Sequence, residues 1–248
     1  ILLVVKVLLL TFCVVIVSKV HEQLSFEAFL ASSSITFNDF ETDYATALRG
    51  ARFQPQNVPE YNYTSIPSPP PTAQLTIPPI IHFIWFQNEY TSHLDISTIP
   101  ATISHAPARC HEHNPSFQIL IWNATAASTF MAEHYAWFLP IYTSYPHPIQ
   151  RIDALKYFLL WHYGGVYMDL DVSCRRPLNP LLAFPAWYPK ASPVGVNNDL
   201  MASRARHPLV GMMLEQLSVK NKSWGLTYLT VFWSTGPQFV SGVMKRWW

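Results

Sequence analysis

The sequence predicts an α/β protein with a mainly parallel central sheet, preceded by an N-terminal membrane anchor. Residues 1–17 are apolar apart from Lys6 and Thr11. From residue 80 onward, short apolar segments of strand character alternate with longer segments whose apolar residues recur at helical spacing. Strands and helices that alternate in this way form parallel sheets, and ligands bind at the carboxyl ends of the strands.

The apolar run at the start of the chain is nearly long enough to cross a bilayer. At about 1.5 Å per residue it spans about 26 Å, against a hydrocarbon core of about 30 Å. A cleaved signal peptide is the alternative, but no A-x-A cleavage pattern follows the run. We therefore expect an uncleaved transmembrane signal anchor over residues 1–18, with its true start upstream of Ile1, and a chain that enters the secretory pathway.

Composition favours a membrane-associated protein and gives no support for nucleic-acid binding. Charged residues make up 12% of the chain and aromatic residues 15%, which indicates a large core and apolar surface available to membrane or lipid. Sixteen basic residues almost balance fifteen acidic ones, so there is no electrostatic case for nucleic acid.

Glycosylation sequons and cysteines favour a lumenal location. Sequons begin at Asn62, Asn123 and Asn221. Cys110 and Cys174 could pair in an oxidising lumen, but two cysteines alone leave the pairing open.

Residues 19–76 are expected to form a stem between the anchor and the main domain. The proline tract at 66–71 favours an extended polyproline conformation, and a short helix is allowed within 24–53. The main domain is then 77–248. Nothing at its end signals a domain boundary, so we expect further residues of the domain beyond 248.

The first elements of the domain are predicted from local patterns. Residues 80–86 form a short apolar run typical of a buried parallel strand, and residues 117–122 are predicted as a second strand. The default role of His82 and Trp85 within the first run is core packing. Residues 88–116 read as a loop with one helix, and residues 124–138 as a longer helix.

The stretch 150–172 is the centre of the domain. Its first part has helical spacing, Gly164 and Gly165 end that helix, and the period then changes to the alternation of a strand over 166–172. Asp169 and Asp171 would share one face of this strand, about 6.6 Å apart. The default interpretation of these two carboxylates is a solvated strand end without a bound ligand. The apolar surroundings favour a divalent cation site, because two bare carboxylates in an interior strand repel each other.

The last part of the chain is predicted as a mixture of loop, strand and helix. We expect a loop over 185–189 and a strand over 194–196 that delivers Asn197, Asn198 and Asp199. Pro208 begins a helix, and its buried face is expected to consist of Val210, Met213, Leu214 and Leu217. Residues 226–233 fit either a helix or a strand.

Three motifs resemble a known family. The order R-x-D-A-x-K-Y-F-x-L-x-x-Y-G-G-x-Y-x-D-L-D over 151–171 is similar to the sugar-binding region with a D-x-D motif in glycosyltransferase family 32. The stretches FPAWYPKASPVGVNNDLMAS at 184–203 and STGP at 234–237 resemble the fungal mannosyl inositol phosphorylceramide synthases within it. The resemblance implies a GT-A-type nucleotide-sugar transferase that uses Mn²⁺ or Mg²⁺.

The resemblance also implies roles for individual residues. Asp171 would ligate the metal directly, and Asp169 would contact the metal, its water or the ribose. Asp153 would accept a sugar hydroxyl, or else simply pair with Lys156, where the family usually has arginine. These three aspartates are the candidate catalytic residues. Trp85 would stack on the nucleobase of the donor. The other candidate donor-binding residues are Arg151, Lys156, Asn198 and Asp199.

The implied reaction is a retaining transfer of mannose from GDP-mannose to inositol phosphoceramide in sphingolipid biosynthesis. The resemblance places the chain in the Golgi membrane as a single-pass type II protein with a lumenal domain. In that setting the aromatic segment 184–188 would either rest at the lipid headgroups or pack over the sheet. A Golgi α-1,6-mannosyltransferase acting on glycans and a catalytically inactive lumenal paralogue are the alternatives. The sequence itself names no regulatory subunit.

Overall fold

The structure, a computed structural model, describes residues 2–34, 77–86, 99 and 105–248. Its helices are α1 (Leu2–Ser32), α2 (His105–His113), α3 (Ala124–His134), α4 (Leu139–Ser144), α5 (Pro148–His162), α6 (Pro208–Lys220), α7 (Thr227–Ser234) and α8 (Pro237–Trp247). Its strands are β1 (Ile80–Ile84), β2 (Gln118–Trp122), β3 (Gly165–Met168), β4 (Ala186–Trp187) and β5 (Leu200–Ser203), and a 3₁₀ helix spans Asn179–Ala183.

The strands of the described residues form one sheet in the order β2-β1-β3-β5-β4. β1 pairs in parallel with both β2 and β3, whereas β5 pairs antiparallel with β3 and β4. All five residues of β1 are buried, which explains its unbroken apolar sequence. The predicted α/β architecture with parallel strands at the core of the sheet is confirmed, and one edge of the sheet is antiparallel.

A close approach of two backbones joins α5 to the sheet. Gly164 and Gly165 have φ values of 70° and 98°, which a residue with a side chain rarely adopts. A Cβ on Gly165 would lie 2.8 Å from the carbonyl oxygen of Ile80, so glycine is needed where β3 meets β1. The helix therefore ends where the sequence predicted.

His82 is a core residue that ties this turn to the sheet. Its Nε2 lies 2.9 Å from the Gly164 carbonyl oxygen, and its Nδ1 accepts a hydrogen bond from Trp122 Nε1 at 3.2 Å. The indole can only donate, so Nδ1 is unprotonated and Nε2–H donates to Gly164. Burial lowers the pKa of His82 to about 4 and keeps the ring neutral.

The strand predicted over 166–172 is too long, because β3 ends at Met168. Asp169 makes one more ladder contact, donating its N–H to the Asp199 carbonyl at 2.7 Å. The chain then turns, and Val172 N–H donates to the Asp169 carbonyl at 3.0 Å. The apolar alternation persists because the turn buries Leu170 in the core. The two aspartates therefore lie on a turn at the carboxyl end of β3.

The strand predicted over 194–196 is wrong. Val196 makes only an isolated bridge with Lys190, and the strand begins at Leu200 instead. The predicted loop at 185–189 contains the short strand β4. Pro189 and Pro193 lack the N–H that a ladder needs, which accounts for the irregular chain between β4 and β5.

The helices are predicted better than the strands of this region. α6 begins at Pro208 and buries the predicted face. Residues 227–233 of the undecided run are helical (α7), and the predicted helix over 124–138 is too long, because α3 ends at His134 and a turn over 135–138 precedes α4. Of the predicted loop over 88–116, the described part contains α2 and the rest lies outside the described residues.

The helix α1 continues past residue 18, the predicted end of the anchor. α1 is long and apolar enough to cross a membrane, but it continues without a break past residue 18 to Ser32. Phe26 is fully buried and Leu30 is 8% exposed, and both belong to the main hydrophobic core. Thus the beginning of the predicted stem is part of the folded domain, while residues 35–76 lie outside the described residues.

A disulfide holds the segment after the D-x-D turn. Cys110 of α2 and Cys174 are bonded, with their Cα atoms 4.7 Å apart. The Cys174 N–H also points at Cys110 Sγ, at 3.0 Å. The pairing that the sequence left open is therefore formed, and it fastens the chain three residues after Asp171.

Candidate active site

Lys156 lies at the centre of a buried polar cluster between α5 and the ends of β3 and β5. Its Nζ is 2.9 Å from Asp153 Oδ1 and 3.5 Å from Asp169 Oδ1. It also donates to the Asn198 carbonyl at 3.1 Å and lies 4.5 Å from the centre of the Tyr167 ring. The ammonium thereby joins the helix to the D-x-D turn and to the segment before β5.

Asp153 has a full set of partners inside this cluster. Besides Lys156, it accepts hydrogen bonds from Asn198 Nδ2 at 3.0 Å and from Thr235 Oγ1 at 3.0 Å. Burial raises the pKa of Asp153, an effect that Lys156 opposes. Burial alone would lower the pKa of Lys156, but the charges of Asp153 and Asp169 more than offset it and raise that pKa. The ammonium at 2.9 Å favours the ionised form of Asp153.

The two carboxylates of the D-x-D turn lie in different environments. Asp169 is 35% exposed and accepts hydrogen bonds from Lys156 and from the Tyr167 hydroxyl. Asp171 is exposed to solvent. Lys156 and Tyr167 therefore fix the direction of one carboxylate, and the other can reach a ligand that approaches from solvent.

Asp199 adds a third carboxylate at the same edge of the sheet. Asn197 Nδ2 donates to its Oδ2 at 2.7 Å, and its backbone carbonyl accepts from Asp169 N–H. Burial, and after it the charge of Asp169, raises the pKa of Asp199. Asp169, Asp171 and Asp199 thus come together at one edge of the sheet, where a bound cation would lower the repulsion between their carboxylates.

The donor set at this edge fits a hard divalent cation in part. Among the residues that the structure describes, no group of three or more His, Cys, Asp or Glu side chains is arranged to hold a metal ion. Mg²⁺ commonly takes one or two protein carboxylates and completes its shell with substrate phosphates and water. Asp169 and Asp171 match that mode of binding, because both are carboxylates on an accessible turn.

Trp85 lies at the end of the neighbouring strand. It directly follows β1, and its N–H donates to the Trp122 carbonyl at 2.8 Å. Its side chain is half-buried and packs on a second hydrophobic cluster, which is built around Ile81 and Phe83 of β1 and Val166 of β3. β1 and β3 are parallel neighbours, so Trp85 and Asp169 lie at the same carboxyl edge of the sheet. Arg151 is half-buried in the first turns of α5, and its contact with a donor stays a prediction.

A cavity of about 660 Å³ opens beside the D-x-D turn. Its wall includes Met168 and Leu200 from the strands, Trp187 from β4, and the guanidinium-bearing residues Arg175 and Arg176. The combination of aromatic, apolar and cationic lining suits an organic ligand that carries phosphate.

The aromatic segment 184–188 mostly packs over the sheet. Trp187 contacts the second hydrophobic cluster and Tyr188 contacts the main hydrophobic core, which agrees with packing over the sheet. One group of large apolar side chains that are exposed lies on and just before α7. They are Trp224, Leu226, Tyr228, Leu229 and Trp233.

Three residues of the cluster were not predicted from the sequence. The hydroxyl of Tyr157 donates to the Thr235 carbonyl and accepts from Asn198 Nδ2 at 3.3 Å, and Tyr167 holds Asp169. Thr235 lies in the STGP motif, which was singled out without a role. The tyrosines gave no signal beyond apolar periodicity, because their hydroxyl partners come from distant parts of the chain.

The comparisons with known proteins agree with this site. Residues 100–187 match the family described as glycosyltransferase sugar-binding region containing DXD motif. The chain is 42% identical over 180 residues to the mannosyl phosphorylinositol ceramide synthase SUR1 of Saccharomyces cerevisiae, covering 73% of this chain and 44% of that protein. It is 37% identical over 195 residues to inositol phosphoceramide mannosyltransferase 2 of Schizosaccharomyces pombe, covering 73% and 54%.

The chain spans about half the length of these relatives. Among solved structures, the PaToxG glycosyltransferase aligns with a TM-score of 0.49 at 15% identity, over 69% of each chain.

The D-x-D turn and the family match over 100–187 define the class of the protein: it carries a glycosyltransferase domain. Within that class, its similar sequences include the fungal synthases of mannosylated inositol phosphoceramide. The predicted resemblance is confirmed.

Proposed function

We propose that the protein transfers mannose from GDP-mannose to inositol phosphoceramide, with retention of the anomeric configuration. The observation that carries this proposal is the similarity to two fungal proteins that are named for this product or acceptor, at 42% and 37% identity. The geometry of the candidate site supports it, because donor-binding and metal-binding candidates meet at one edge of the sheet.

Mn²⁺ or Mg²⁺ bound at the D-x-D turn would supply Lewis-acid stabilisation of the negative charge that builds on a diphosphate leaving group. Asp171, which is exposed, and Asp169 are the residues that would hold it. Lys156 and Tyr167 orient Asp169, so its free oxygen presents a fixed direction to a ligand.

The buried partners of Lys156 keep the site preorganised. Asp153 is hydrogen-bonded to Asn198 and Thr235, so α5, the segment before β5 and the end of α7 hold one another in register. In this arrangement Asp153 acts as a positioning residue. Its contact with a sugar hydroxyl would require an exchange of one of these hydrogen bonds.

The donor is proposed to bind across the carboxyl edge, with its nucleobase on Trp85 and its diphosphate near the D-x-D turn. Asn198 and Asp199 lie on the other side of Asp169, as candidates for the sugar. Arg175 lines the cavity beside the turn, and no hydrogen bond or ion pair joins it to the other described residues. A phosphate group of donor or acceptor is the chemistry that suits it.

We place the protein in the Golgi membrane as a type II protein with a lumenal domain. The long apolar helix α1 fits a membrane anchor. The disulfide between Cys110 and Cys174 supports an oxidising compartment. Asn123, the first residue of a sequon, caps α3 through its side chain, which accepts from Ala126 N–H.

Two other functions remain outcomes of the test. A Golgi α-1,6-mannosyltransferase would use the same donor site with a glycan acceptor, and an inactive paralogue would keep the fold without turnover.

The test is complementation of fungal cells that lack inositol phosphoceramide mannosylation. The full-length protein is expressed in its native form and as Asp171→Asn, and extracted lipids and glycans are compared. The proposal requires mannosylated inositol phosphoceramide with the native chain only. Restored mannosylated glycan without the lipid product would reject the lipid acceptor, and no restoration of either would favour the inactive paralogue.

A further inference from the structure

The part of α1 beyond the apolar run is docked on the catalytic domain. Phe26 is fully buried, and the Phe29 ring stacks on Trp248 with centroids 5.2 Å apart. Lys245 of α8 donates to Gln23 at 2.8 Å and lies 3.6 Å from the Glu22 carboxylate. Aromatic packing and charged contacts thus fix the same segment.

A further contact joins α1 to the segment that leads into the candidate site. Glu27 Oε1 accepts a hydrogen bond from the Gly195 N–H at 2.8 Å. Gly195 has a φ of 80°, and a Cβ there would clash with Ser241 of α8, so glycine is needed at the residue that Glu27 contacts. The Glu27 carboxylate therefore holds the chain three residues before Asn198.

The same segment is held on its other side by α8. Val196 N–H donates to Ser241 Oγ at 3.0 Å, and Ser241 Oγ donates back to the Val196 carbonyl at 3.2 Å. Asn198 then donates to Asp153 at 3.0 Å. A continuous set of contacts thus runs from the helix that carries the anchor to the buried cluster around Lys156.

The distance from the end of the apolar run to the candidate site is short. Glu27 follows Val17, the last residue of the apolar run, by ten residues, or about 15 Å of helix. Asn198 is at most about 11 Å from Gly195 along an extended chain. Even if both segments and the Glu27 side chain that joins them pointed straight away from the membrane, Asn198 would stand on the order of 30 Å above the end of the apolar run.

At the membrane end of the docked segment two large apolar side chains are exposed beside Lys19 and His21. Val20 and Leu24 are 52% and 64% exposed, and they continue the apolar surface of the anchor toward the domain. Lipid acyl chains or headgroups are the neighbours that such a surface suits, because it is continuous with the spanning part of the same helix.

We propose that the segment Glu22–Leu30 is a rigid docking helix that holds the catalytic site at a fixed, short distance over the bilayer in which α1 is anchored. The acceptor is then taken from the surface of that bilayer. This inference rests on the proposed function for the identity of the acceptor, but the rigid geometry can be measured without turnover.

The test uses insertions in the full-length protein reconstituted in vesicles that contain inositol phosphoceramide. An (EAAAK)-type helical insertion of about 18 residues after Lys19 adds about five whole turns. The domain then keeps its orientation about the helix axis and is lifted by about 27 Å from the membrane. A Gly/Ser insertion of equal length at the same place lets the domain return to the surface. The matched control carries the helical insertion after Ser34, beyond the docked segment.

The expected result is a graded loss of transfer to the lipid. The helical insertion after Lys19 lowers transfer by about a hundredfold, since the linker no longer lets the site reach the acceptor, and the Gly/Ser insertion by about tenfold or less. The control insertion and the hydrolysis of donor in water stay within about twofold of native. Transfer that survives the helical insertion unchanged would overturn the proposal.

A distance measurement makes the test independent of activity. A dye on Ser218→Cys, in a Cys13→Ser background, reports energy transfer to labelled lipid, since residue 218 is exposed on α6. Efficient energy transfer without the insertion, and its loss with the helical insertion, supports rigid docking. Equal energy transfer with and without the helical insertion would overturn the proposal of rigid docking. Absence of lipid mannosylation in the native chain would reject the proposed function alone.

Glu27 provides a finer variant. Glu27→Gln keeps an oxygen that can accept from Gly195 N–H, whereas Glu27→Ala removes it. Faster amide hydrogen exchange at Gly195 to Asn198 is expected in Glu27→Ala, with native exchange in Glu27→Gln. Native exchange in both variants would show that α1 does not hold the segment.

Discussion

The ammonium of Lys156 lies 2.9 Å from the carboxylate of Asp153, and the two side chains are only 2% and 5% exposed. Two turns of the chain that are far apart in sequence, at Asn198 and at Thr235, close around this pair. A buried pair of this kind makes the site rigid, and it also makes each charge dependent on the other.

Lys156→Met is therefore expected to lower the free energy of unfolding by about 3–5 kcal/mol, because Asp153 is left as an unpaired buried acid. The measurement is the denaturant midpoint of the detergent-solubilised protein. Lys156→Arg should retain most of the stability, and Asp153→Asn combined with Lys156→Met should recover part of the loss. A native midpoint for Lys156→Met would show that the pair does not stabilise the fold.

Asp171→Asn should abolish cation-dependent transfer and leave the melting temperature near that of the native chain. Asp171 is exposed on a turn, so its carboxylate contributes little to stability. The readouts are mannose transfer with and without Mn²⁺ and thermal unfolding. The control is Glu215→Gln, an exposed acid of α6 away from the turn. Full activity of Asp171→Asn would remove this residue from the metal site.

Trp85→Ala should raise the KM for the nucleotide sugar more than it lowers kcat. Stacking of a base on an aromatic ring contributes about 1–3 kcal/mol, which corresponds to a change of about fivefold to 150-fold. Trp85→Phe should keep part of the affinity. If Trp85→Ala unfolds instead, the core contacts of this half-buried side chain are its main role.

Acid pH should destabilise the protein through His82. Its pKa is about 4 in the folded state and about 6.5 when unfolded, so between these values only the unfolded chain binds the proton. Stability is thus complete above pH 6.5 and falls as the pH drops toward 4, by about 2 kcal/mol between pH 7 and pH 5. His82→Gln should weaken this dependence of the urea midpoint, and His111→Gln, on the exposed face of α2, should not. An unchanged pH dependence in His82→Gln would contradict this assignment.

The helices around the site could be predicted from sequence because their signals are local. α5 and α6 each begin at a proline, and Gly164 and Gly165 mark the end of α5. β1 was recognised because a strand buried on both faces has no polar residue to interrupt it, apart from His82.

The failures have long-range causes. The end of β3 depends on how far β5 runs beside it, which alternation within 166–172 does not encode. The docking of α1 depends on Trp248 and Gly195, which are more than 160 residues away in sequence. The i,i+3 spacing offered a pair of Lys156 with Asp153 as the alternative to a sugar contact, but the second carboxylate beside Lys156, Asp169, is brought close only by the fold.

The most direct test of the proposed reaction is a reconstituted transfer assay. The purified full-length protein is incubated with labelled GDP-mannose, Mn²⁺ and vesicles that contain inositol phosphoceramide, and the lipid fraction is analysed by mass spectrometry. We expect labelled mannosyl inositol phosphoceramide with the native protein and none with Asp171→Asn. Label that appears only in a glycan acceptor, or only as free mannose, would contradict the account.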